Sequence, residues 1–167
     1  RALCVAHDGE EVLILSFDIC FFGREDADRL KGAIGRVVDL SPRQILLNTT
    51  HTHVGPAVGS WAYAGYDAAD RLYLKRLETA TLAAVCEARG HMSEVTLRVG
   101  EGTTSVPVSR RRPDGEGGVI WAPAPDALTY PWLPLCLLED ADGRPVCLLF
   151  SVACHPSTAH GWEISAD

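Results

Sequence analysis

An α/β fold, with a mixed β-sheet flanked by helices, follows from three features of this sequence. Short apolar runs of strand length alternate with two longer stretches whose apolar residues recur at helical spacing. The second half then supplies several further strand-like runs. Finally, 47% of residues are hydrophobic and 22% charged, a balance that can bury a core and argues against a disordered chain.

The elements follow in order. Leu3 to Ala6 and Val12 to Phe17 read as strands separated by the turn signal Asp8-Gly9. From Glu25 to Asp39, Leu30, Ala33, Ile34 and Val37 fall at helical spacing, and Ser41-Pro42 ends the run. Ile45 to Leu47 form a short strand leading into Asn48-Thr49-Thr50-His51-Thr52-His53, and a loop with Gly and Pro follows from Gly55 to Gly65. A longer helix runs from about Asp67 to Arg89, with Leu74, Leu77, Thr81, Ala84 and Val85 on one face and Gly90 as its stop. Val95 to Val99 and Ser105 to Val108 read as strands. The Gly-, Pro- and Asp-rich stretch from Arg111 to Pro131 reads as a long surface loop. Leu135 to Leu138 and Val146 to Ala153 form a hairpin around Ala141-Asp142-Gly143, its second strand running into His155.

Charge and composition exclude some classes. A net charge of −7, with Arg110-Arg111-Arg112 as the one basic run, argues against nucleic acid as a partner. No apolar run approaches the ~20 residues of a membrane-spanning helix. The chain opens on Arg1 inside an apolar stretch and stops at Asp167 just after a motif-like segment. It is therefore expected to be a single partial catalytic domain, 1–167, cut at both ends. The six cysteines lack Cys-x-x-Cys spacing, and Cys4, Cys136, Cys147 and Cys154 sit in apolar runs as small core hydrophobes. That usage leans towards a reducing compartment.

Three polar segments stand at strand mouths, where α/β folds place their ligands. On an extended backbone, His51 and His53 would face one way about 6.6 Å apart. Two imidazoles at that spacing can converge on one zinc ion, although a bare His-x-His is more often a hydrogen-bonded strand end. His155 follows the apolar run Val146 to Ala153 and is a second candidate ligand, or a structural histidine. Asp18 follows the strand Val12 to Phe17. It could bind metal, orient a ligating His from behind, or cap the helix near Glu25. Arg110 could hold a carboxylate or a developing oxyanion, or simply be solvated.

Taken together, Ser16-Phe17-Asp18, Thr50-His51-Thr52-His53-Val54-Gly55-Pro56, Ser109-Arg110-Arg111, Ala153-Cys154-His155-Pro156-Ser157-Thr158 and Ile164-Ser165-Ala166-Asp167 resemble, in order, the motifs of the neutral/alkaline, non-lysosomal ceramidase family. The resemblance implies a zinc amidase that cleaves the N-acyl bond of ceramide-like lipids. It implies that His51 and His155 bind zinc, that His53 faces the substrate, and that Arg110 lies near the scissile amide. It also implies that the remaining ligands, a Glu and a Tyr, lie further along the chain than Asp167, so that this piece alone would not turn over. Zinc lowers the pKa of bound water to about 7, which provides the nucleophile. His53 and Arg110 would stabilise the oxyanion or relay a proton to the leaving amine. Val54 replaces the family's usual Ser and Ser109 its usual Asn, which bears on lipid specificity more than on metal binding. Family members are often secreted, which runs against the lean drawn from the cysteines.

Two rivals stand beside this reading. One keeps zinc but changes the substrate to another amide or an ester; the other is a non-catalytic α/β module with structural histidines. Val58, Trp61, Tyr63 and Tyr66 in the loop after the motif suit an acyl chain without requiring one.

Overall fold

The alternation expected of the first half is present in the computed structural model, which describes residues 1–56, 58 and 68–156. These residues cluster in two compact units, one holding Arg1–Met92 and the other Ser93–His155. Among the described residues the fold is α/β, with small sheets and two α-helices.

In the first unit, β1 (Ala2–His7) and β2 (Glu10–Phe17) pair antiparallel through a tight turn. Its two central residues, Asp8 and Gly9, both have positive φ (49° and 83°). That is the turn geometry whose twist matches the flanking strands. Strict alternation along β2 buries Leu13, Leu15 and Phe17, and Ile19 continues the buried row. The chain then forms α1 (Arg24–Val38) and returns as β3 (Ile45–Thr49), parallel to β2 from Leu13↔Ile45 to Phe17↔Thr49. The sheet order β1-β2-β3 is thus mixed, as expected.

Helix α1 buries Leu30, Ala33, Ile34 and Val38, one stripe at three- and four-residue spacing. Glu25 and Asp26 in the first turn and Arg36 in the last complement the helix dipole. Its N-cap is Gly23, with no side-chain capping bond, so Asp18 does not cap it. At its end Asp39 turns left-handed (φ 54°), and the reversing chain passes so close to Gly35 that a Cβ there would lie 2.5 Å from the Leu40 carbonyl oxygen. Ser41-Pro42 then opens a single 3-10 turn, Pro42–Gln44, whose Gln44 Oε1 accepts from the Ser41 amide at 3.0 Å and hydroxyl at 2.8 Å.

Helix α2 (Ala68–Gly90) adds Leu74 and Val85 to the same core, with Tyr73, Leu77 and Leu82 packed against it. Its C-terminal turn is tied down by one arginine. Arg89 pairs with Glu11 of β2 at 3.0 Å and donates to the Val38 carbonyl at 2.6 Å. The Cys4 thiol donates to the same Glu11 carboxylate at 3.1 Å.

Burial, then the hydrogen bond to Glu11 and its charge, push the Cys4 pKa up to about 11 from 9.0. The folded state therefore keeps a proton that the unfolded chain loses, so this contribution to stability is complete below pH 9 and is lost as pH rises through about 11. Urea midpoints measured at about pH 8 and about pH 10.5 should fall less in Cys4→Ala than in wild type. Equal falls would show that Cys4 carries no such linkage.

The second unit contains β4 (Thr96–Thr103), β5 (Ser109–Pro113), β6 (Val119–Ala124), β7 (Trp132–Glu139) and β8 (Pro145–Phe150). They form one sheet of order β4-β7-β8 and one β5-β6 hairpin, all antiparallel. The β7–β8 hairpin turns at Asp140–Arg144, where the Asp140 carboxylate accepts the amides of Asp142 (2.9 Å) and Arg144 (2.8 Å).

Three expectations are corrected here. Val106–Val108 are not strand; that strand begins at Ser109. The expected loop from Arg111 to Pro131 contains the β5–β6 hairpin. Its turn has the same device, Asp114 Oδ1 accepting from Glu116 and Gly118, with Gly115 and Gly117 at positive φ. The turn residues outweighed Val119-Ile120-Trp121, a strand-forming run. Lastly, β8 ends at Phe150, so irregular backbone separates it from His155, and Cys154 is exposed rather than packed in a strand.

Candidate metal centre

The parallel pair β2–β3 opens at Phe17↔Thr49, and the candidate residues of the first unit lie just past that mouth. The ladder runs on briefly: the Thr50 amide donates to the Phe17 carbonyl at 2.9 Å and the His51 amide to the Ile19 carbonyl at 3.1 Å. The backbone then turns. His51 has φ 61°, so the extended geometry expected for His51 and His53 is not the one adopted. Left-handed backbone is uncommon outside glycine, and His is among the residues enriched there.

That turn brings the two imidazoles together. Their Nε2 atoms are 3.4 Å apart and the rings meet edge to face, with centroids at 4.9 Å. Thr52 between them is buried, and its hydroxyl accepts from the Val54 amide at 3.3 Å. Gly55 closes the loop onto β2: a Cβ there would lie 2.9 Å from Thr52 Cγ2 and 3.0 Å from the Asp18 carbonyl oxygen. Only glycine permits that approach without a shift.

His51 is oriented by the Cys20 carbonyl, which lies 2.9 Å from Nδ1 and also accepts from the Thr49 hydroxyl at 3.1 Å. A carbonyl can only accept, so Nδ1 carries the proton and Nε2 presents its lone pair. This is how metal-ligating histidines are commonly held. The Cys20 thiol lies 3.5 Å from the same Nδ1. One donor atom each from Cys20, His51 and His53 falls within 4.8 Å of the others. Two nitrogens on one tetrahedral zinc lie about 3.3 Å apart, from Zn–N lengths of about 2.0–2.1 Å. The His51–His53 separation matches that edge, and the imidazole and thiol donors suit zinc better than magnesium or calcium.

Cys20 was not singled out in the sequence. The signal was there in part: Ile19 continues the buried row of β2, so alternation puts Asp18 and Cys20 together on the other side. Burial pushes the Cys20 pKa up, which keeps the sulfur a thiol at neutral pH and argues against a cysteine nucleophile.

Asp18 contributes its carbonyl under Gly55, and its Oδ1 is buried with no hydrogen-bond partner among the described residues. The phenol of Tyr73, on α2, has its pKa raised first by burial and then by the Asp18 carboxylate.

His155 and Arg110 belong to the Ser93–His155 unit. His155 is exposed on irregular backbone. Arg110 is exposed in β5, at the register shift between Ser109 and Arg111. Such bulges re-aim a side chain and are frequent beside active sites. Trp61, Tyr63, Tyr66, Ser157-Thr158 and Ile164-Ser165-Ala166-Asp167 lie outside the described residues. Val58 is buried and belongs to the core.

No family model matches the chain. No curated protein matches it either. Among solved structures it is similar to one described as "Ceramidase complexed with C2", at 19% sequence identity and a TM-score of 0.67. The match covers 97% of this chain and 26% of that one. The chain thus has a ceramidase-like fold and spans about a quarter of the length of the structure that it matches.

Proposed function

We propose that this chain is part of a zinc-dependent amidohydrolase of ceramidase type, cleaving the N-acyl bond of a ceramide-like lipid. The observation that carries the reading is the His51–His53 pair at the mouth of the parallel strands, with His51 Nδ1 fixed by the Cys20 carbonyl. The ceramidase-like fold supports it.

When bound, zinc supplies Lewis acidity and activates water near neutral pH. His51 holds it through Nε2. His53, exposed and in contact with His51, would carry a proton to the leaving amine or stabilise the oxyanion. The resemblance assigns His155 to zinc, Arg110 to the amide oxygen and Asp18 to support of the ligands. Each role is a separate substitution test.

The direct experiment measures zinc content and N-acyl hydrolysis for the full-length protein that contains this chain. One zinc per molecule is expected, with hydrolysis lost on chelation and restored by zinc. Hydrolysis should fall by at least about 100-fold in Arg110→Ala, as for loss of an oxyanion donor. A full-length protein that is metal-free, or unaffected by chelators, would sink the proposal. A zinc protein that hydrolyses other amides or esters but not ceramide would keep the metal and replace the substrate.

A further inference from the structure

We infer that the β4-β7-β8 sheet is an inner layer of the full-length protein, with both of its faces covered by that protein's own polypeptide outside residues 1–167.

The strands carry the pattern of an inner layer. Leu135 to Leu138 of β7 and Val146 to Phe150 of β8 are apolar without a break. An antiparallel strand with one face in water alternates apolar and polar residues, whereas a continuous apolar run fits a strand buried on both sides. Cross-strand partners share a face and successive residues do not, so the registers sort these side chains. On one face Leu97 pairs with Leu138 and Val99 with Cys136, and Leu138 and Cys136 pair in turn with Cys147 and Leu149. On the other, Leu137 pairs with Leu148 and Leu135 with Phe150. Glu101, towards the far end of β4, is the charged residue of the first face. Arg98 and Glu139 are those of the second, and they pair with each other. Neither face is built for water.

Both faces are nevertheless open in this chain. Val99 is 78% exposed and Leu97 54% on the first, Phe150 62% and Leu148 52% on the second. Contiguous apolar surface of this kind marks an interaction site. Among the described residues β4 and β8 are the outer strands, so both sheet edges are open to further pairing as well.

Two observations select the occupant. The chain matches only 26% of the length of the ceramidase structure, so most of the polypeptide of such a protein lies outside what this chain spans. A second copy related by a two-fold axis would present the same patch to itself, covering one face and leaving the other in water. Polypeptide of the same protein can cover both. β8, the strand that leads towards His155, then belongs to a buried layer, and site residues are held best by such supported strands.

The test is site-resolved thiol alkylation of the full-length protein, read by peptide mass spectrometry. Val99→Cys reports one face and Leu148→Cys the other, each against its own rate in urea-unfolded protein. Both sites should be protected by at least about 100-fold, because labelling then waits on opening of the layer. Less protection at either site would overturn the two-sided layer. Protection that falls on dilution, in step with a dimer-to-monomer transition seen by light scattering, would assign the cover to a second copy and overturn the intramolecular one. Cooperative urea unfolding checks that each variant is folded. If either does not fold, hydroxyl-radical oxidation of Val99 and Phe150 in the wild-type protein reads the same two faces, and oxidation of either as fast as in unfolded protein would sink the proposal.

Discussion

Replacing His51 by either glycine or alanine is expected to weaken metal binding by at least about 100-fold, with the two variants differing in stability. The loss of affinity follows from removing the ring whose Nδ1 is held by the Cys20 carbonyl and whose Nε2 presents its lone pair beside His53. Substitutions behind metal ligands already cost 10–100-fold, and removal of a ligand costs no less. The stability difference follows from φ 61°. Glycine adopts that conformation without a Cβ penalty, whereas alanine does not, so His51→Gly should be more stable than His51→Ala by about 1 kcal/mol. Isothermal titration with zinc and urea unfolding of both variants measure the two effects. Retained zinc affinity in His51→Gly would remove His51 from the site, and equal stabilities would show that the loop does not hold the left-handed turn in solution.

Gly35→Ala should destabilise the chain by about 1–3 kcal/mol, the cost of forcing atoms into a packed region. Helix propensity argues the opposite, since alanine is favoured over glycine by about 1 kcal/mol in a helix interior. The contact decides. The new Cβ would stand 2.5 Å from the Leu40 carbonyl oxygen, a backbone atom on the chain reversal between α1 and β3, and backbone cannot yield as a side-chain tip can. Gly32→Ala, one turn earlier, is the control. Its Cβ would meet only the end of the Arg36 side chain, at 3.6 Å, so propensity should act alone and stabilise by up to about 1 kcal/mol. Opposite shifts in urea midpoint are expected for the two substitutions, and a stabilised Gly35→Ala would show that the reversal is looser than described.

These glycines show what the sequence discloses and what it withholds. The strands and helices of the first half were legible because burial there is one-sided: Leu13, Leu15 and Phe17 at period two, and Leu30, Ala33 and Ile34 at helical period, announce their own elements. The β5–β6 hairpin was hidden because its turn residues, Asp114 to Gly118, carry the same composition as an irregular loop. At the site, His51 and His53 stood out by residue type, but their meeting did not. The spacing rule assumes extended backbone, and the left-handed turn at His51 depends on contacts with Ile19 and Cys20, across the whole of α1. Cys20 was passed over for the same reason, since its neighbours are distant in sequence.

The parallel pairing of β2 with β3 also has a kinetic consequence. The β1–β2 hairpin closes through a tight turn, whereas Phe17 finds Thr49 only after the intervening helix has been threaded across the sheet. Chain entropy lost on closing a loop grows with its length, and non-local pairings slow folding. Both Cys20 and His51 lie just beyond that non-local pair. On the zinc reading proposed above, the ion has no assembled site to grip until the crossover is complete, so added zinc should slow unfolding more than it hastens refolding.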